Sequence, residues 1–132
     1  MKQFISNHFI NYFIIGLLCY LIDISLFFLL VSKFFITAFF SNIISSSLGI
    51  TISFFLNSLF NFKVSSKVKL RLLNFYLVSF FGIIFSSLLI IFFISIDFSP
   101  LIAKILTMPA IFIFQYNLNK YFTFSNSFFR NN

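Results

Sequence analysis

One aromatic pattern occurs twice in the chain, and each copy closes a long apolar segment. Asn57-x-x-Phe60-x-Phe62 recurs as Asn119-x-x-Phe122-x-Phe124, a shift of 62 residues within 132. A repeat of this length is typical of a duplicated supersecondary unit, and transporters are often built in this way. The repeat predicts two halves, at about residues 9–62 and 71–124, each of them a pair of helices.

The composition indicates that the chain lies in lipid. It is 61% hydrophobic and 8% charged, with a mean hydropathy of +1.09. A soluble domain of this size has too little interior to cover so much apolar surface. The net charge of +7 does not indicate nucleic-acid binding, because the basic residues cluster at the ends of apolar segments.

Four segments are long enough to cross a membrane, which takes about 20 apolar residues in a helix. They are roughly Ile10–Val31, Ala38–Phe60, Leu73–Ile94 and Pro100–Leu118. The sequence therefore predicts an all-α integral membrane protein, with residues 1–132 forming a single transmembrane domain. Its four helices form two tandem two-helix repeats.

The basic residues also predict an orientation, since positive charge favours the cytoplasmic side. With both termini and the central loop inside, that side holds Lys2, Lys63, Lys67, Lys69, Arg71, Lys120 and Arg130. The outer loops then carry one basic residue, Lys33, together with Asp97. We therefore predict an arrangement in which the N-terminus and the C-terminus are both cytoplasmic.

Small residues mark the helix faces that are expected to pack, because they let backbones approach in lipid. In the second segment they recur every four residues, at Ser41, Ser45, Gly49 and Ser53. In the third segment Ser79, Gly82 and Ser86 play this part, and in the first Gly16 and Cys19 share a face with Asp23. Pro109 removes a donor for the carbonyl of Ile105 and is expected to kink the fourth helix.

Charged groups inside the apolar segments are the strongest candidates for function. The Asp23 carboxylate costs roughly 3 kcal/mol to insert, so it is either functional or structurally paired. Lys104 either extends to the outer interface or binds a phosphate. Asn42 is its counterpart in the repeat and is expected at the same depth. The tilt of the Cβ bonds points Asp23 inward and Lys104 outward, which argues against direct contact between them.

Three amides complete the set of polar candidates. Asn57 and Asn119 lie where the second and fourth segments end, and we expect them to satisfy free backbone groups there. Gln115 is expected to form a hydrogen bond between helices. The aromatic residues expected to anchor at the inner interface are Phe60, Phe62, Tyr121, Phe122 and Phe124.

Motifs for catalysis, cofactors and metals are absent from the sequence. It has no Gly-x4-Gly-Lys-Ser/Thr phosphate loop, nucleophile–base pair or paired carboxylates. Cys19 is the only cysteine, which excludes an intrachain disulfide and a thiolate metal cluster. His8 is the only histidine and is expected to be solvated in the N-terminal tail. We predict no enzyme activity, no cofactor and no metal.

Several motifs resemble the GtrA-like family of small four-helix membrane proteins. They are Phe13-Ile-Ile-Gly16 followed by Asp23, the run Phe75-Tyr-Leu-Val-Ser-Phe-Phe-Gly82, Ala103-Lys104, and the closures at Asn57–Phe62 and Asn119–Phe124. Two positions depart from the family pattern. Asn11-Tyr12 precede Phe13 where members often carry Arg, and Ser58 replaces a basic residue that Lys120 keeps in the second copy.

The resemblance implies a function in the bacterial cytoplasmic membrane. The family is associated with translocating polyprenyl-phosphate-linked sugars for modification of cell-surface polysaccharides, and a separate membrane glycosyltransferase makes the lipid-linked sugar. Under this hypothesis the residues that bind substrate are Asp23, Asn42, Lys104 and Gln115. Because four short helices enclose little volume, a homo-oligomer or a complex with a partner is expected.

Two alternatives stay open from the sequence. The chain is then either a non-transporting accessory subunit of a membrane glycosyltransferase or a small multidrug exporter. The exporters share the four-helix size and an acid in the first span. They use Glu there, however, and many of them have a weak charge bias, so the strong bias of this chain favours the first two hypotheses.

The topology can be tested with single cysteines in a Cys19→Ser background. We expect an impermeant thiol reagent to label Ser99→Cys in intact cells, because the outer loops face the medium. Ser66→Cys in the central loop should react only after the cells are opened. The reverse labelling pattern would contradict the predicted orientation.

Overall fold

The computed structural model describes residues 2–61 and 67–123, and these residues form helices and no strand. The helices are α1 (Lys2–Ser32), α2 (Ala38–Leu56), α3 (Val68–Ser95) and α4 (Pro100–Phe122). A π-helical turn, Asn57–Asn61, continues α2. All four α-helices are long and apolar enough to cross a membrane, so the predicted all-α multi-pass class is confirmed. The orientation and the two-repeat layout stay predictions.

The central connection is shorter than the sequence indicates. Lys69 and Arg71 were expected in a loop, but both lie in the first turns of α3. Lys69 is exposed, whereas Arg71 is buried and its Nη1 donates to the carbonyl of Thr123 at 2.9 Å. The last carbonyls of a helix lack helical donors, so a basic side chain there satisfies an acceptor that the helix cannot.

Some of the sequence predictions fall on positions outside the described residues. These are Phe62, Lys63, Phe124 and Arg130. Phe60, Tyr121 and Phe122 are described, and their side chains are exposed at the ends of α2 and α4. Exposure agrees with contact to lipid, while anchoring at the inner interface stays a prediction.

The helices follow one another around the bundle. α1 packs along α2, α2 along α3, and α3 along α4, whereas α1 and α4 approach each other at few points. The turns of the α1–α2 and α3–α4 hairpins each contain one left-handed residue, Phe35 with φ 54° and Asp97 with φ 70°. The two positions are 62 residues apart, the same shift that separates the two aromatic patterns.

The predicted small-residue face of α2 is buried. Ser41, Ser45, Gly49 and Ser53 all lie in the interior of the bundle. A Cβ atom built on Gly49 would lie 3.2 Å from both the Cys19 carbonyl oxygen and Asp23 Cβ. Because a backbone atom on α1 occupies that space, Gly49 sets the distance between the two helices.

Gly82 is the close-contact residue between α3 and α4, and the atoms that it faces belong to a flexible side chain. A Cβ atom built there would lie 2.5 Å from Nε2 of Gln115. The end of a glutamine side chain can rotate away, whereas the Cys19 carbonyl beside Gly49 belongs to a helix backbone. The two glycines therefore differ in how well they should tolerate a larger side chain.

We expect Gly49→Ala to destabilise the protein more than Gly82→Ala. Overpacking against fixed atoms costs about 1–3 kcal/mol, while Gln115 can relieve most of the strain at Gly82. Thermal unfolding of both variants in detergent measures the difference, with each serving as the control for the other. Equal losses, or a greater loss for Gly82→Ala, would contradict this account of the helix contacts.

Candidate functional site

A cavity of about 120 Å³ lies between the four helices. The residues predicted to bind substrate, Asp23, Asn42, Lys104 and Gln115, all line it. Each of three helices contributes at least one of them, and α3 contributes Gly82 and Ser86 to the wall. Side chains far apart in sequence therefore meet around one space, whose wall is mostly apolar.

The Lys104 side chain is the centre of a hydrogen-bond network. Its Nζ donates to Asp23 Oδ1 at 2.6 Å and to Asn42 Oδ1 at 2.8 Å. The hydroxyls of Ser45 and Ser46 each lie 3.3 Å from the same nitrogen. An ammonium group has three protons, so these four acceptors use its full donor capacity. Lys104 itself is buried, with 2% of its surface exposed.

The close Asp23–Lys104 ion pair corrects the expectation from the Cβ directions. The Cβ tilt fixes only the first bond of a side chain, and lysine has a flexible four-carbon stem beyond it. Gly49 also lets α1 lie close to α2, where the Ser46 hydroxyl donates to the Asp23 carboxylate at 3.1 Å. Lys104 therefore points into the bundle instead of extending to the outer interface.

Asn42 extends the network to α3. Its oxygen accepts from Lys104, while its Nδ2 donates to Ser86 Oγ at 3.0 Å and Ser87 Oγ at 2.8 Å. The Ser46 hydroxyl of α2 donates to Asp23 Oδ2 of α1 at 3.1 Å. The network thus joins α1, α2, α3 and α4. Asn42 also lies 62 residues before Lys104, so equivalent positions of the sequence repeat touch each other.

Sequence reasoning did not identify Tyr20, Ser46 and Phe27 as part of this site. The Tyr20 hydroxyl donates to the Lys104 carbonyl at 3.1 Å, which adds a second link between α1 and α4. The Phe27 ring lies 4.7 Å from Lys104 Nζ, within the range of a cation–π contact. Tyr20 and Phe27 lie three and four residues from Asp23, so helical spacing places them on its face.

Gln115 lies at the other end of the cavity, against Gly82. The helix–helix hydrogen bond expected for it is wrong, since within the described ranges its side chain makes no hydrogen bond. The reason is its neighbour: a glycine offers contact area but no side-chain donor or acceptor. The Gln115 amide therefore borders the cavity with its hydrogen-bonding groups unused by other described residues.

The two signature asparagines differ in what they bond. Asn57 donates to a backbone carbonyl at the end of α2, as predicted, whereas among the described residues Asn119 bonds the side chain of Thr123 and not a free backbone group. Asn57 Nδ2 donates to the Ser53 carbonyl at 3.0 Å, and its Oδ1 accepts from Asn61 Nδ2 at 3.0 Å. Asn119 Oδ1 accepts from the Thr123 hydroxyl at 2.8 Å. In both cases the side-chain oxygen of the asparagine accepts a hydrogen bond from the residue four positions later. Both asparagines are fully buried.

His8 contacts the residues at the end of α2 and is not a solvated tail residue. It lies in α1, half-buried, with Nδ1 at 2.9 Å from Asn61 Oδ1. Its carbonyl accepts from Asn61 Nδ2 at 3.1 Å. The contact ties the end of α2 to the start of α1, much as Arg71 ties the end of α4 to the start of α3. Among the described residues, no group of three or more His, Cys, Asp or Glu side chains could hold a metal ion.

The ion pair can be tested by a double-mutant cycle with Asp23→Asn and Lys104→Met. Removing one member of a buried pair costs about 3–5 kcal/mol, because the other charge remains uncompensated. We expect the double variant to be more stable than the sum of the single losses allows. Unfolding temperatures in detergent measure this coupling. Strictly additive losses would show that the two charges do not stabilise each other.

The family model described as the GtrA/DPMS transmembrane domain matches residues 11–124. No curated protein and no solved structure matched the chain. The matched range covers α2, α3 and α4, most of α1, and every residue that lines the cavity. It agrees with the resemblance of the sequence motifs, and the chain therefore belongs to the GtrA/DPMS transmembrane domain family.

Proposed function

We propose that this protein translocates a polyprenyl-phosphate-linked monosaccharide across the bacterial cytoplasmic membrane, for modification of cell-surface polysaccharides. The sugar phosphate head group cannot cross about 30 Å of hydrocarbon unaided, because its polar groups would lose their hydrogen bonds. The observation that carries the proposal is a cavity between the helices, with a carboxylate and an ammonium in its mostly apolar wall. Membership of the GtrA/DPMS family supports it.

The cavity offers groups for both parts of such a head group. Lys104 supplies a compact positive charge for the phosphate. Asp23 and Asn42 accept hydrogen bonds from sugar hydroxyls, and the amide of Gln115 offers both donors and an acceptor. Lys104 and Gln115 are eleven residues apart on α4, or about 16 Å by helix rise. The polar groups therefore extend along about half of the hydrocarbon thickness.

The ion pair suggests how a charged head group enters without leaving a buried charge alone. In the structure the Asp23 carboxylate is the counter-ion of Lys104. A bound phosphate takes over this role and releases the carboxylate toward the sugar hydroxyls. Ser46 still donates to the other carboxylate oxygen during this exchange. Lys104 is then compensated with and without substrate, which avoids the cost of an unpaired buried charge.

The movement is expected to need no ATP, because the sequence contains no phosphate-binding loop of the Gly-x4-Gly-Lys-Ser/Thr type. Consumption of the sugar at the outer face then draws the reaction forward. A membrane glycosyltransferase that makes the lipid-linked sugar is the proposed partner. In the cell the protein acts next to it in the same bilayer.

One observation favours a second candidate function, a non-transporting accessory subunit of that glycosyltransferase. The donors of Lys104 are all used by protein acceptors, and the network joins all four helices. Such a network can also serve only to hold the helices together. Transport and the accessory role therefore differ in what happens when the charges are removed but the fold is kept.

Transport can be measured with purified protein in vesicles and a short-chain polyprenyl-phosphate sugar. We expect the wild type to speed transbilayer exchange without ATP. Asp23→Asn should keep the fold but lower the exchange rate at least ~10-fold, which corresponds to about 1.4 kcal/mol. Lys104→Ala should weaken handling of the phosphate. Matched controls are Asp97→Asn and Lys33→Ala, which remove exposed charges in the hairpin turns.

Two results would overturn parts of this proposal. Exchange equal to that of protein-free vesicles, with a co-purifying glycosyltransferase that loses activity without this chain, would establish the accessory role instead. Exchange that Asp23→Asn leaves intact would show that the cavity residues are wrongly assigned. If Asp23→Asn abolishes accumulation of the protein, the carboxylate is structural.

A further inference from the structure

The cavity has one side that is not closed by tight helix packing. α1 and α4 both line it, yet they approach each other at few points. On the opposite sides, the helices are in close contact, as shown by the backbone of Cys19 against Gly49 and the side chain of Gln115 against Gly82. We call the gap between α1 and α4 the α1–α4 seam.

Aromatic rings fill the part of the seam that lies away from the ion pair. Phe112 of α4 is at the centre, with Phe13 and Tyr12 of α1 at centroid distances of 5.5 and 5.6 Å. Tyr116 of α4 lies 5.0 Å from both Tyr12 and Phe9. The seam is thus closed by side chains rather than by backbone contact.

Phe112 lies directly over a glycine on the facing helix. A Cβ atom built on Gly16 would lie 3.0 Å from Cε2 of the Phe112 ring, so the ring occupies the space that a side chain would take. Both residues also line the cavity. Rotation of this ring would therefore widen the gap between α1 and α4 beside the cavity.

Two further features bear on movement of the seam. Pro109 lies three residues before Phe112 and cannot donate to the Ile105 carbonyl, so α4 lacks one helical hydrogen bond there. At the other end of the cavity, Asp23 and Tyr20 of α1 are bonded to Lys104 of α4. The seam is therefore bonded by polar groups at one end and closed by rings at the other.

From this geometry we infer that the α1–α4 seam is a lateral portal, closed by Phe112, through which the lipid phosphate head group enters the cavity. The inference rests on the proposed function. A polyprenyl chain is apolar, so it stays in the bilayer while the charged head group is inside the cavity. This requires a side that opens along the helices, and the seam is the side closed by movable rings.

Cys19 provides a reporter of the portal that does not depend on transport. Its thiol lines the cavity and is buried, with 4% of the residue exposed. In vesicles, we expect Phe112→Ala to raise the rate of Cys19 labelling by N-ethylmaleimide at least ~10-fold over wild type. Phe114→Ala is the matched control, since Phe114 lies on the same helix, is exposed and does not line the cavity.

Cross-linking tests whether the seam must open during transport. In a Cys19→Ser background, Phe9→Cys and Tyr116→Cys would be joined by a short, reducible bifunctional thiol reagent. We expect exchange of the lipid-linked sugar to stop and to recover after reduction. The control pair, Phe93→Cys and Phe98→Cys, lies within the α3–α4 hairpin, where the rings are 5.8 Å apart, and joining it should leave exchange unchanged.

The outcomes separate this inference from the proposed function. Cys19 labelling that is equal in wild type and Phe112→Ala, with both proteins folded, would overturn the portal even if transport occurs. Exchange that continues through a cross-linked seam would overturn it as well. Faster labelling in Phe112→Ala supports the portal, and if the wild type then shows no exchange, it is the proposed function that fails.

Discussion

The buried ammonium group of Lys104 sets the requirement that the rest of the helix bundle meets. Lipid offers no hydrogen bonds, so a charge at this depth must be compensated by protein groups. Asp23 supplies the opposite charge. Asn42 accepts from Lys104 and donates to the serines of α3. The lipid-facing side chains of the helices are mostly apolar, and apolar contacts alone would not select one helix face over another. The polar centre therefore determines which helix faces meet.

The four helices and the buried face of α2 could be predicted, because span length and a four-residue spacing are properties of the sequence itself. The Asp23–Lys104 contact could not. It depends on the length of the lysine stem and on the closeness of α1 and α2 at Gly49, whereas the sequence argument used only the direction of the first side-chain bond. Ser46 and Tyr20 were missed because serine and tyrosine occur throughout the chain, and only their neighbours in space distinguish them.

The partners of His8 and Arg71 could not be predicted from the sequence either. Both lie near helix ends, where a polar side chain is ordinarily solvated. In the structure they instead supply partners to the ends of α2 and α4, at Asn61 and at the Thr123 carbonyl. Sequence position does not reveal which helix start lies beside which helix end. Once the hairpins are formed, however, free backbone groups and buried amides require such partners.

The contact between Asn42 and Lys104 also constrains how the two halves of the chain can change. The positions correspond under the 62-residue shift, yet their side chains meet at 2.8 Å. Two lysines there would bring like charges together with one carboxylate between them, and two asparagines would leave Asp23 without its counter-ion. One cation and one amide form the combination that fits. The halves have thus become complementary rather than interchangeable, and a tandem copy of either one would not rebuild the site.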